Sequence, residues 1–196
     1  MHNSKSFLLW VFAIAVLLWP AFVFAAPVIW SSNGHTYDLI DAGGIDWNAA
    51  KAEAESEDKM YMGVSGYLVT ITSQAEQDFL NQNLFSTLAD STWGFYLGGY
   101  KVGNDPDPKI GWNWVTGESW GEYTNWRSGE PSNTDGIENA IAAEFVKSGV
   151  TVNGWWNDRP DGSYVDGYVV EYNVPEPATM SLLAFGCLFL VQRRRK

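Results

Sequence analysis

The chain has 196 residues, 12 Lys and Arg against 23 Asp and Glu, and a formal net charge of −11. Such acidity repels nucleic acid and anionic membrane surfaces, so neither is an expected partner. His2 and His35 are the only imidazoles and Cys187 the only thiol, which makes Ser-His-Asp catalysis, Cys-His catalysis and a multi-histidine zinc site hard to build and leaves the folded part without a disulfide.

The first 25 residues read as a secretory signal. Lys5 supplies a basic start, Phe7 to Phe24 an apolar run, and Ala25 and Ala26 the small residues of a cleavage site. Cleavage after Ala25 is expected, so the mature domain would run over 26–173. Within it the cations are Lys51, Lys59, Lys101, Lys109, Lys147, Arg127 and Arg159, set against many more acids.

VIW, SSNG and HTYDLI predict a first hairpin with Asn33-Gly34 in the turn, and His35 reads as an ordinary strand residue. In IDWNAAKAEAESED, Asp46 caps a helix whose Trp47, Ala50 and Ala54 share one face. A strand is expected at 66–72. Ser73 and Glu76 then form a capping box for a second helix that turns Phe79, Leu80 and Leu84 to the core.

GFYLGGY at 94–100 predicts a buried strand, and shorter strands are expected at WNWV, IAAEFV and GYVVEY. Helices early and strands late indicate an α+β domain rather than a parallel α/β sheet. The stretch 102–163 reads as mostly irregular, and loops of that length in a small domain are commonly functional.

The last segment, 174–196, joins Pro175-Glu176-Pro177 to an apolar run from Ala178 to Val191 and a basic end at Arg193, Arg194, Arg195 and Lys196. That run is shorter than the roughly 20 residues that span a bilayer comfortably, and its basic flank orients it toward the cytoplasm. The arrangement resembles the PEP-CTERM sorting tail of bacterial exported proteins. The resemblance implies transient membrane insertion, processing by an exosortase, and a final place at the cell surface or in the extracellular matrix.

One loop is rich in oxygen ligands. EPSNTDGIEN at 130–139 carries Glu130, Ser132, Asn133, Asp135, Glu138 and Asn139, and Pro131 can set a sharp turn that aims them together. Hard cations such as calcium take six to eight oxygens, more than one loop commonly provides. Trp156-Asn157-Asp158 offers a second source.

Taken in order, Trp47-x-x-Ala50, LVTITSQAEQDFL, Tyr96-Leu97-Gly98-Gly99, WNWVTG, YTNW, GEP, WND and VVEY make the domain similar to a C-type lectin-like domain. The resemblance implies two helices flanking small antiparallel sheets and a long loop region. It also implies a principal calcium site at Glu130, Ser132, Glu138, Asn157 and Asp158, which would bind a glycan or exopolysaccharide through the same residues. Ser132 stands where the family pattern has asparagine, which bears on sugar preference. Asn133, Asn139 and Asp105 fall near an auxiliary calcium site, although Asp105 and Asp107 beside prolines also read as turn formers.

The family's disulfides are absent. Ala54 and Val170 occupy the positions of the long-range pair, Ala140 and Asp161 those of the loop pair, so the ligand loop is expected to be unstapled. Trp120, Trp126 and Trp155 are candidates for stacking on a sugar, with a core role as the other reading. The expected function is calcium-dependent carbohydrate binding without catalysis. A calcium-independent adhesion or matrix protein on the same scaffold is the alternative.

Overall fold

In a computed structural model, residues 26–88, 93–148 and 151–175 are described. The signal segment and residues 176–196 of the tail lie outside the described residues. Among those described, no helix is long and apolar enough to cross a membrane.

The chain opens with the expected hairpin, β1 (Val28–Ile29) against β2 (Thr36–Asp41). Its turn is closed by Gly34 N–H donating to Trp30 O at 2.8 Å, with Gly34 at φ 76°, a conformation that favours glycine. His35 precedes β2 rather than lying in it, and its Nδ1 hydrogen-bonds Glu171, a carboxylate buried in the domain. A strand reading gave no sign of this ion pair, because its partner lies at the far end of the chain.

Helix α1 (Trp47–Ala54) is capped by Asp46, whose carboxylate accepts Ala49 N–H at 2.7 Å, and Trp47, Ala50 and Ala54 are buried as their spacing predicts. Strand β3 (Tyr67–Leu68) is shorter than 66–72. Beyond it the chain still bonds on two sides: Val69 N–H donates to Val169 O at 3.0 Å, and Val69 O accepts Gly98 N–H at 2.8 Å. A Cβ on Gly98 would stand 2.5 Å from Leu68 O and 2.9 Å from Val69 O, so only glycine permits this approach.

Helix α2 (Gln74–Asn83) starts with Ser73 Oγ accepting Glu76 N–H at 3.2 Å. The reciprocal half of the capping box is not made. Glu76 instead turns inward, accepting Tyr37 O–H at 2.7 Å and Thr72 N–H at 3.0 Å, because a buried carboxylate must find donors. Leu80 and Leu84 are buried, and Phe79 packs partly buried against the rings of Trp30 and Tyr37.

The remaining strands are β4 (Phe95–Lys101), β5 (Trp112–Trp114), β6 (Glu138–Ser148), β7 (Thr151–Pro160) and β8 (Gly167–Tyr172). They form one sheet in the order β1-β2-β8-β4-β6-β7, with β3 on β8 and β5 on β4. The expected small antiparallel sheets are thus joined, and the join is the parallel pair β4 and β8. Both are buried along nearly their whole length, which suits their apolar runs to a central place.

The stretch 102–163 is mostly irregular as expected, but β6 and β7 form a long antiparallel pair within it. TVNGWWNDRP carries Asn, Gly and Asp and does not read as a strand, yet pairing with β6 holds it extended. Trp156 and Asp158 are fully buried, while Trp155, Asn157 and Arg159 on the other face are half-buried.

Trp156 anchors the larger core cluster. It meets Trp114 edge to face at 5.5 Å and donates its indole N–H to Gln77 Oε1 at 2.9 Å. Such a ring pair adds about 0.5–1.5 kcal/mol beyond the area it buries. Trp120 and Trp126 pack partly buried against this cluster, which supports the core reading for both.

Ala54 and Val170, expected at the positions of the long-range pair, are both fully buried in the second cluster. The loop position is not left loose. Asp161 accepts Trp47 N–H at 2.8 Å and an N–H of the Asn48 amide, and its own N–H donates to Asn139 Oδ1 at 3.2 Å. Polar bonds thereby tie the loop after β7 to both α1 and β6.

Candidate metal centre

The loop from Arg127 to Ile137 is laid along β7 by backbone bonds. Arg127 N–H donates to Trp156 O at 2.9 Å, Trp156 N–H to Asn125 O at 2.8 Å, and Glu130 N–H to Arg127 O at 2.9 Å. The Glu130-Pro131 bond is cis, and Asn133 and Asp135 adopt positive φ of 47° and 57°. Asn and Asp tolerate that region better than other side chains, which lets the loop turn back on itself.

Asp158 holds the turn. Its Oδ1 accepts Ser132 N–H at 2.9 Å and its Oδ2 accepts Asn133 N–H at 2.8 Å. Glu138 Oε2 accepts Thr134 N–H at 2.6 Å and the Ser132 hydroxyl at 3.0 Å. Burial pushes the Glu130 carboxyl above its ordinary pKa; a hydrogen bond with Ser132 opposes this, and the facing Asp158 and nearby Glu138 carboxylates add to it. Glu130, Ser132, Glu138 and Asp158 therefore stand together.

Asn157 is adjacent in sequence but projects from the opposite face of β7 from Asp158. Its Nδ2 donates to Glu144 Oε1 at 2.7 Å. Glu144 also takes Arg127 Nη1 on Oε2 at 3.0 Å and Arg159 Nη2 on Oε1. Burial alone would raise the Glu144 pKa, but the hydrogen bonds of Asn157, Arg159 and Arg127 and the Arg159 charge overcome it and hold the carboxyl below its ordinary value.

Two buried oxygens in this region have no hydrogen-bond partner: Glu130 Oε2 and Asn157 Oδ1. An unpaired buried acceptor costs about 1–3 kcal/mol, so each such atom needs a partner, which an ion or an ordered water can supply. The donors here are oxygens throughout, as a hard cation requires. Among the described residues, however, no three Asp, Glu, His or Cys side chains are gathered to hold a metal. Asp158 and Glu138 instead accept hydrogen bonds from loop N–H and O–H donors. The residues thus fit a calcium ion chemically, with Glu130 and Asn157 open and the other two carboxylates engaged.

Asp105, Asn133 and Asn139 line one cleft of about 400 Å³, together with Glu138 and Lys101. Their oxygens are largely used within the chain. Asp105 Oδ1 accepts Asp107 N–H at 2.9 Å, as expected of a turn former, and Asn139 Oδ1 accepts from Asp161. Lys101 Nζ lies 3.4 Å from Asp105 O and 3.5 Å from Asp107 O, so an ammonium already supplies positive charge there and opposes a second divalent ion.

Sequence reasoning missed Glu144, Arg127 and Arg159. The available signal was a charged residue inside the apolar strand IAAEFV, in a domain whose only two arginines flank the ligand motifs.

Residues 173–196 match the PEP-CTERM protein-sorting motif. The chain is 30% identical to halomucin of Haloquadratum walsbyi over 71% of its own length, which is 1% of that protein. It is also 30% identical to a lectin of Pleurodeles waltl, spanning 66% of each chain. In three dimensions it resembles the C-type carbohydrate-recognition domain of cow CD23, solved in the presence of a GlcNAc2Man3 oligosaccharide, with a TM-score of 0.53, 25% identity, and coverage of 72% of this chain and 90% of that one. The sorting motif marks the chain for export to the cell surface or extracellular space, and its lectin relatives are not enzymes. The chain belongs to the C-type lectin-like domain family, without the family's disulfides and with a PEP-CTERM tail.

Proposed function

We propose that this domain binds glycan through one calcium ion held by Glu130, Glu138, Asn157 and Asp158 with the Ser132 hydroxyl. The observation that carries the reading is the pair of buried oxygens without partners, Glu130 Oε2 and Asn157 Oδ1, which belong to the two segments whose motifs match the family's ligand positions. C-type lectin relatives generally bind calcium, and an oligosaccharide accompanies the cow CD23 domain.

Bound there, calcium would supply a Lewis-acidic centre able to draw in sugar hydroxyls. The chain's own residues do the rest. Glu130 and Glu138 would accept hydrogen bonds from those hydroxyls, and Asp158 behind the turn holds the loop in place. Ser132 reaches less far than asparagine, so sugar preference depends on how closely its hydroxyl approaches the ion.

Signal removal after Ala25 and exosortase processing within 174–196, after transient insertion of the tail, would deliver the 26–173 domain to the surface or matrix, where exopolysaccharide is the natural ligand. A second reading has its own support: Asp158 and Glu138 accept hydrogen bonds from the loop, as in an adhesion scaffold whose loop is held by its own side chains. A glycan array with millimolar calcium, repeated in EDTA, separates the two. Binding lost in EDTA supports the calcium reading, and equal binding in both supports the scaffold.

A further inference from the structure

We infer that Glu144 is the positioning residue that fixes which end of the Asn157 amide is offered to the cation, an inference that rests on the calcium reading above. The two ends of an asparagine amide have nearly the same shape, so packing alone does not choose between them. A carboxylate only accepts hydrogen bonds. Pairing with Glu144 therefore requires the NH2 end to face it, at 2.7 Å, and leaves the buried carbonyl oxygen without a hydrogen-bond partner.

Glu144 is built for this role and not for ligation. Both of its oxygens are occupied, Oε1 by Asn157 and Arg159 and Oε2 by Arg127. The two guanidiniums offset its charge, so it stays an ionised acceptor although its side chain is only 11% exposed. The register assists: Ala142 stands opposite Asn157 and Ala140 opposite Arg159, and these small side chains leave room for both to reach Glu144 along the same face.

The test is an exchange of groups, read by calcium titration calorimetry on the chelator-treated full chain. Glu144→Gln is expected to weaken calcium affinity about tenfold or more, the usual cost of losing a residue that orients a ligand. Asn157→Asp alone sets two carboxylates against each other and should also weaken it. In the variant that combines Glu144→Gln with Asn157→Asp, the amide introduced by the first change donates to the carboxylate introduced by the second, and affinity should return to within about threefold of wild type. A role limited to stability would lower the melting temperature in EDTA without any such rescue.

Unchanged affinity in Glu144→Gln, or a double variant no better than Glu144→Gln, overturns the inference while leaving the calcium reading intact. No calcium binding by the wild type overturns both. Should the variants fail to fold, the metal-free wild type still decides: the Asn157 side-chain N–H bound to Glu144 should be protected from solvent exchange in NMR spectra. Rapid exchange of both amide protons would contradict the assignment.

Discussion

Asp158 accepts the backbone N–H groups of both Ser132 and Asn133, at 2.9 and 2.8 Å, and so fastens the oxygen-rich loop to β7. The side chain is fully buried, and removing it leaves two loop donors unpaired. Asp158→Ala should lower stability by about 2–3 kcal/mol even in EDTA. A urea midpoint equal to wild type under those conditions would show that the loop is held by something else.

Stability should fall as pH rises. The hydrogen bond to Glu171 raises the His35 pKa from its ordinary 6.5, against desolvation, and the Glu171, Glu76 and Glu118 charges add to the rise. Burial likewise raises Glu76 above its ordinary 4.5. Each group binds its proton more tightly folded than unfolded, so folding takes up protons. The His35 contribution is whole below about pH 6.5 and is lost as pH rises through its higher folded value. The melting temperature should be higher near pH 6 than near pH 8.5, and His35→Gln should shrink the difference. A wild-type melting temperature that rises over this range would contradict the assignment.

Asp161, expected at a position of the loop pair, bonds to Trp47 and Asn48 at the start of α1. Asp161→Ala is expected to cost about 1 kcal/mol and to speed hydrogen exchange at Trp47 N–H, the donor it releases. Exchange at that amide no faster than in wild type would exclude the staple.

Gly98 allows β4 to pass against the backbone at Leu68 and Val69. The neighbours of an added Cβ are mainly backbone oxygens, which cannot swing aside as a side-chain tip can. Gly98→Ala should therefore destabilise by about 1–3 kcal/mol or more, measured by thermal melting. Near-wild-type stability would mean that the contact relaxes easily.

The helices were legible in the sequence because their signals are local: Asp46 and Ser73 sit at their caps, and the apolar spacing is helical. β4 and β8 were legible as apolar runs of strand length. β7 was not, since its extended form comes from pairing with β6 and not from its own residues. The inward turn of Glu76, the His35–Glu171 pair and the Glu144 hub were hidden for the same reason, as each joins residues from different elements. For the candidate centre, motif order pointed to Glu130, Ser132, Glu138 and Asp158, which the fold brings together. It gave no sign that Asn157 departs toward Glu144 or that Lys101 lines the neighbouring cleft.

The central claim is that this loop and β7 together hold calcium. Calcium titration calorimetry of the chelator-treated protein, paired with melting curves in calcium and in EDTA, tests it most directly. The account predicts binding heat and a higher melting temperature in calcium, because a ligand that binds the folded form stabilises it by mass action. It also predicts that both effects disappear in an Asn157→Ala, Asp158→Ala double variant. No heat and no shift in the wild type, or the same heat in the double variant, would contradict it.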